Sequence, residues 1–108
     1  MKYCVMSDLR FETPAKRDTV HQAVQTQIAG KDTWGETISQ GRTDEDGYPR
    51  HHLQVRFVNG ADMDELFALI KDKFDQTPVL KGTANKHHCR HDEGIMQPCK
   101  ITEEYRKD

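Results

Sequence analysis

The chain has 108 residues, of which 34% are hydrophobic, and its 16 basic and 18 acidic residues give a formal net charge of -2. One domain is expected at this length, and a balanced charge excludes the strongly basic surface of a typical nucleic-acid-binding domain. No apolar run approaches the ~18 residues of a membrane span, and the N-terminus lacks a signal-peptide pattern. We therefore expect a soluble, cytoplasmic protein that binds neither nucleic acid nor membrane.

Hydrophobic periodicity in the first half of the chain predicts a strand, a helix and two further strands. Apolar residues alternate in the strands and recur at helical spacing in the helix. Thr13 is the expected cap of that helix and Pro14 its first residue. The predicted elements are a strand over 3–11, a helix over 14–29, a strand over 33–43 and a strand over 50–58.

The strand predicted over 33–43 has the least regular pattern of the four. Trp34 and Ile38 share a parity, which predicts that both side chains face the core. Gly35 either weakens the strand or marks a β-bulge.

The second half of the chain predicts one more helix and one more strand. Asp62 is the expected cap of the helix, with Glu65 three residues later in an analogue of the capping box. The fourth strand is predicted from Val79 to about His91. Residues 94–108 are either a short extra strand, around 99–102, or a loose tail.

The resulting element order, βαββαβ, resembles the ferredoxin-like topology. The resemblance covers about residues 2–91 and implies a four-stranded antiparallel sheet of order 4-1-3-2, with two helices on one face. We predict a single α+β domain over residues 1–93 and a C-terminal extension over 94–108. Element order alone specifies no function.

Histidine and cysteine residues are concentrated where the fourth strand ends. In the 4-1-3-2 order this end meets the start of the first strand, so Cys4 would lie near Cys89. Residues two apart on a strand share a face, which adds His87 and His91 to the same side, and Cys99 could fold back over them. Thiolate and imidazole are the ligands that zinc prefers. These five residues are therefore candidate ligands of a zinc site, although their spacing matches no usual zinc signature. The alternative is a histidine-rich strand end in which Cys89 or Cys4 is a small buried hydrophobic residue.

Three functions remain open from the sequence. The first is a small binding or assembly module with no recognisable catalytic apparatus, which binds a protein or small molecule or forms a homodimer by edge pairing through strand two or four. The second is the zinc-binding protein, and no other cofactor is expected. The third is a thiol-dependent enzyme with Cys89 or Cys99 as nucleophile and His91 as base.

Overall fold

The computed structural model describes residues 3–39, 47–76, 79–88 and 100–107. Neighbouring strands of its sheet are antiparallel, in the order β2-β3-β1-β4-β5. This is the predicted ferredoxin-like βαββαβ fold with one strand added at an edge. The elements are β1 (Tyr3–Phe11), α1 (Pro14–Ile28), β2 (Thr33–Ser39), β3 (Arg50–Phe57), α2 (Gly60–Gln76), β4 (Val79–His88) and β5 (Lys100–Lys107).

The hydrophobic core lies between the sheet and the two helices. Alternate residues of β1 and β3 point toward the helices because the side chains of a strand alternate between its two faces. Stripes of apolar residues from α1 and α2 pack against them. The buried core consists of Val5, Leu9, Phe11, Val20, Val24, Ile28, Leu53, Val55, Phe57, Met63, Leu66, Phe67, Ile70, Val79 and Ala84.

The fifth strand is a departure from the four-stranded sheet that the sequence predicts. β5 has 8 residues and pairs with β4 from Gly82, opposite Lys107, to His88, opposite Lys100. The sequence signal is weak because Ile101 and Tyr105 are the apolar residues of this strand, and they do not define a clear alternation. As a result β4 is an interior strand, and it cannot serve as an edge for pairing with another chain.

Trp34 faces away from the core, so its predicted direction is wrong. The register between β2 and β3 shifts between Trp34 and Thr37, and Gly35 has a φ of 69°, which costs little only for glycine. An extra residue in one strand reverses the faces of the residues that follow. Ile38 therefore packs against the core as predicted, while Trp34 lies opposite Arg56 on the other face.

One helix cap is predicted correctly and the other is not. The side chain of Thr13 accepts a hydrogen bond from the Lys16 amide at 3.3 Å, as expected for the cap of α1. α2 begins earlier than predicted, and the Oδ1 atom of Asn59 accepts a hydrogen bond from the Ala61 amide at 2.8 Å. Asp62 therefore lies inside the first turn, where its negative charge suits the helix dipole.

The strand ends agree with the prediction to within one residue wherever the described residues allow the comparison. β1 has the predicted bounds, and β3 ends one residue early, at Phe57. The predicted extensions of the second strand over 40–43 and of the fourth over 89–91 lie outside the described residues. Neither described helix has the length and apolar character that would be needed to cross a bilayer.

Candidate functional site

The face of the sheet opposite the core carries no helix within the described residues. One row of side chains crosses all five strands on this helix-free face, because successive cross-strand partners lie on the same side of a sheet. We call it the Trp34–Ile101 row. Its members, from one edge to the other, are Trp34, Arg56, Cys4, His87 and Ile101.

The two ends of the Trp34–Ile101 row are apolar and exposed to solvent. Trp34 is 59% exposed and Ile101 is 51% exposed. The guanidinium carbon of Arg56 lies 5.1 Å from the centroid of the Trp34 ring, which is within cation–π range. The charge of Arg56 thus lies next to the indole, and the rest of the ring surface remains open to a partner.

The centre of the row is closed to solvent. Cys4 is fully buried and His87 is only 7% exposed. Burial lowers the pKa of His87, and the nearby positive charge of Arg56 lowers it further. The Nδ1 atom of His87 lies 2.9 Å from the Oδ1 atom of Asn85. An amide oxygen accepts, so Nδ1 carries the proton and Nε2 keeps its lone pair.

The structure places two of the five predicted metal ligands side by side. Cys4 and His87 are cross-strand partners in the antiparallel pairing of β1 and β4. The other three, Cys89, His91 and Cys99, lie outside the described residues. Among the residues that are described, no group of three or more His, Cys, Asp or Glu side chains is arranged to hold a metal ion.

The predicted thiol nucleophiles are not among the described residues. Cys89 and Cys99 were the candidate nucleophiles and His91 the candidate base, and all three fall in residues 89–99. Cys4 is described, but its side chain is fully buried. A nucleophilic thiol needs contact with its substrate, so Cys4 does not fit that role.

A second feature of the helix-free face is an open cleft at the end remote from the Trp34–Ile101 row. Its volume is about 280 Å³. Arg10 lies opposite Lys81 and Thr83 lies opposite Arg106, so β1, β4 and β5 all contribute. Among the described residues that line it, four of six are cations and none is acidic. We call this the basic cleft; its residues are Arg10, Lys81, Gly82, Thr83, Arg106 and Lys107.

An ion-pair network on β1 and β3 adjoins the basic cleft. Arg50 donates from Nε and from a terminal nitrogen to the two carboxylate oxygens of Asp8, both at 2.8 Å. Arg10 donates to Asp8 as well, at 2.9 Å. Desolvation alone would raise the pKa of Asp8, but the two guanidinium groups outweigh it and lower that pKa. Asp8 is therefore ionised at neutral pH and holds the Arg10 side chain in place.

A buried histidine, to which no sequence motif points, lies on the core side of β3. His51 is fully buried, and its ring meets that of His21 on α1 edge to face, with centroids 5.9 Å apart. Neither nitrogen of His51 has a hydrogen-bond partner within the described structure. Its strand parity, shared with Leu53 and Val55, could have revealed its position.

Comparisons with known proteins give no family. No family model matches the sequence, and no curated protein matches it. Among solved structures, the chain aligns with the crystal structure of a dimeric ferredoxin-like protein from an uncultured marine organism. That alignment has 8% identity and a TM-score of 0.49, and it covers 91% of this chain and 97% of the other. The fold follows from this chain's own element order and strand pairing, and a fold by itself specifies no function.

Proposed function

We propose that the chain is a small assembly module that binds a second copy of itself through the helix-free face of its sheet. The observation that carries the proposal is the pair of exposed apolar side chains, Trp34 and Ile101, at opposite ends of one cross-strand row. Covering apolar surface is favourable by about 25 cal/mol per Å². A partner that covers both Trp34 and Ile101 removes two apolar surfaces from water, and each burial favours association.

The arrangement of the row suits a symmetric dimer. A two-fold axis parallel to the strands and passing over β1 would place Trp34 of each copy above Ile101 of the other, because β1 is the middle strand. Such an interface is self-complementary, as a closed two-fold contact requires. Between the two ends, Cys4 and His87 are closed to solvent and Arg56 is half-buried, so the contact between the copies would be made by the two ends of the row and Arg56.

Association through the sheet edges is less favourable than association through the face. The edge strand β2 contains the bulge at Gly35, which disturbs a flat pairing surface. The other edge strand, β5, carries charged residues along its length, including Glu104 and Arg106. Bulges and charges are two devices by which proteins prevent edge-to-edge pairing.

The size of the face sets the expected strength of the dimer. Five strands about 4.8 Å apart and about 20 Å long present roughly 500 Å² of flat area. A standard stable interface buries about 800 Å² of accessible surface per partner. We therefore expect a weak dimer whose population rises with protein concentration.

Sedimentation velocity over a range of concentrations tests this proposal. Replacing Trp34 or Ile101 with serine removes one apolar end of the row without touching the core. Each change is expected to raise the dimer dissociation constant about tenfold, since about 1.4 kcal/mol is lost. Val58→Ser is the matched control, because Val58 is an exposed apolar residue outside the row.

Two results would contradict the homodimer. One is a wild-type chain that stays monomeric up to about 1 mM, the weakest affinity that a specific interface of this size would show. The other is a Val58→Ser variant that loses as much affinity as the Trp34→Ser variant.

We propose zinc binding as a second function, because Cys4 and His87 are cross-strand partners with a thiol and a neutral imidazole on one face. Zinc prefers histidine as the neutral imidazole and cysteine as the thiolate. The remaining ligands of this proposal are Cys89, His91 and Cys99. A reducing cytoplasm, which we also propose for this chain, would keep the thiols available.

Elemental analysis of the protein purified without chelators tests the zinc site. We expect about one zinc per chain, bound through deprotonated thiols with release of protons. Cys4→Ser and His87→Gln should each reduce the zinc content, whereas His52→Gln, at the other end of the same face, should not. If the Cys4 variant does not fold, a cobalt-substituted wild-type chain reports thiolate ligation by its absorption spectrum. Less than about one metal per ten chains would exclude a structural site.

A further inference from the structure

We infer that acid detaches α1 from the sheet while α2 and the strands remain folded, because detachment lets water reach His51 and solvate its positive charge. His51 lies on the core side of β3, where its ring meets that of His21 on α1. The proposed dimer surface is on the opposite side of the sheet. The inference therefore concerns a conformational change within one chain and does not depend on the homodimer.

The position of His51 does not suit a positive charge. Its side chain is fully buried, and neither ring nitrogen has a hydrogen-bond partner among the described residues. Its cross-strand partner on β1 is Leu9, which is apolar and also fully buried. Burying a charge that has neither a counter-ion nor a hydrogen bond is strongly unfavourable. His51 therefore stays neutral at neutral and mildly acidic pH for as long as α1 covers it.

α1 places two more basic groups near His51. The centroid of the His21 ring lies 5.9 Å from that of the His51 ring. The positive charge of Arg17 also acts on His51 and disfavours a second charge there. Asp18 lies 3.1 Å from the Nε atom of Arg17, but its side chain is 47% exposed and does not hydrogen-bond to His51. The helix that covers His51 therefore opposes its protonation.

The strands beside His51 do not compensate for this. His52 points to the opposite face of β3, and its charge would also oppose a charge on His51. Asp8 acts in the favourable direction, but it lies opposite His52 on that same far face, and Arg50 binds both of its carboxylate oxygens at 2.8 Å. Its effect is smaller than those of the other groups, and the pKa of His51 is lowered to about 4, mainly by burial.

α1 is held on the sheet by few apolar side chains. Three of its 15 residues are buried, namely Val20, Val24 and Ile28, whereas α2 has four buried residues and also packs Leu69 and Phe74 against the core. α1 has no acidic residue in its first turn and no basic residue in its last, so its dipole is not compensated. Elements with few buried contacts open at a lower free energy than the whole domain. We therefore expect α1 to detach before α2 unfolds.

The polar contacts between the two helices indicate how α1 moves. Gln27, in the last turn of α1, donates to Glu65 of α2 at 3.1 Å, and Lys31, just after α1, donates to Glu65 at 2.8 Å. These contacts lie at the C-terminal end of α1, whereas His21, which meets the ring of His51, lies in the middle of the helix. The C-terminal end therefore serves as the pivot, and the part of α1 that covers His51 moves away from the sheet.

Detachment of α1 opens an apolar surface. The core sides of β1 and β3, which α1 contacts when it is in place, become accessible to solvent. Their buried apolar side chains include Leu9 on β1 and Leu53 and Val55 on β3. The fold thus contains an acid-sensitive device that keeps this surface closed at neutral pH and opens it as the pH falls.

The pH range of the opening follows from the two states of His51. With α1 detached, His51 is solvated and has the ordinary pKa of 6.5, whereas with α1 in place its pKa is about 4. Between these values only the detached state binds the proton, so falling pH favours detachment. Above pH 6.5 neither state binds it, and below pH 4 both do. Between pH 7.5 and 4.5 the opening constant of α1 is therefore expected to rise about 70-fold.

Native-state hydrogen exchange tests the inference, followed by NMR at pH 7.5 and 4.5 and corrected for intrinsic exchange rates. An isolated helix of 15 residues is marginal in water, so the amides of α1 exchange once it leaves the sheet. We expect the Val20 and Val24 amides to exchange at least about tenfold faster than the Ile70 amide of α2 at both pH values. Global unfolding also exposes His51, so this difference between the helices, together with the rise in acid, identifies detachment.

Variants of His51 and of its neighbours complete the test. His51→Leu should remove most of the pH dependence of exchange in α1, and His51→Met replaces it if that chain does not fold. His52→Leu, on the opposite face of β3, should keep the pH dependence. Val24→Ala removes a buried contact of α1, so it should speed exchange at both pH values and leave their ratio unchanged.

Two outcomes would overturn the inference. Equal free energies of exchange for the Val20 and Ile70 amides at pH 4.5 would mean that the domain unfolds as one unit, without a separate detachment of α1. An opening constant of α1 that rises as steeply in the His51→Leu chain as in the wild-type chain would mean that His51 does not drive the opening.

Discussion

At the scale of single residues, His51 links the fold to pH. Burial lowers its pKa from 6.5 to about 4, and the charges of His21, His52 and Arg17 act in the same direction, against a smaller opposite effect of Asp8. Between these two pKa values the unfolded chain binds a proton that the folded chain does not. The stability that depends on neutral His51 is therefore fully present above about pH 6.5. It is lost as the pH falls toward 4, and below pH 4 this group causes no further loss.

At 1.4 kcal/mol per pKa unit the full effect is about 3.5 kcal/mol, and urea unfolding at pH 7.5 and 4.5 measures most of it. We expect His51→Leu, which fills a similar volume and does not titrate, to lose much less stability between the two pH values than the wild-type chain. His52→Leu, on the opposite face of β3, should keep the acid sensitivity. Equal acid sensitivity of the wild-type and His51→Leu chains would show that another group is responsible.

At the scale of secondary-structure elements, local patterns predicted most of the fold, and register accounts for what they did not predict. β1 and the start of α1 follow from alternation and from a Thr-Pro cap, which are signals within a few residues. The face on which Trp34 lies is predicted wrongly because alternation assumes that each residue of one strand pairs with one residue of the next. The bulge at Gly35 inserts an extra residue and breaks this pattern. The sequence does contain a signal for the bulge, because Gly35 indicates either a weakened strand or a β-bulge.

The candidate sites depend on register even more than the elements do. The antiparallel pairing of β1 with β4 is predicted from topology, which brings the end of the fourth strand near Cys4; that His87 is the residue directly opposite Cys4 depends on the register. The basic cleft was not predicted at all. It exists because β5 aligns Arg106 with Thr83, and the pairing of an eight-residue strand with few apolar residues has no local signature.

At the scale of the whole molecule, β5 lies within the predicted C-terminal extension, so its contacts bear on whether that extension is separate from the domain. Tyr105 on this strand packs against two aromatic residues of α2, with ring centroids 5.8 Å from Phe67 and 6.5 Å from Phe74. Lys71 Nζ also lies 5.2 Å from the centroid of the Tyr105 ring. The strand therefore packs against the helices through Tyr105, while Arg106, which has the opposite parity, lines the cleft on the other face.

We propose accordingly that residues 100–107 fold as part of the single domain, and Tyr105→Ala tests this. Loss of the aromatic contacts should lower the free energy of unfolding by about 2–3 kcal/mol. This is less than the cost of truncating a fully buried aromatic residue, because Tyr105 is only partly buried. Ile101→Ala, an exposed residue of the same strand, should change it by less than about 0.5 kcal/mol. Urea unfolding followed by circular dichroism measures both. An extension that is independent of the domain would instead leave the Tyr105→Ala midpoint equal to that of the wild-type chain.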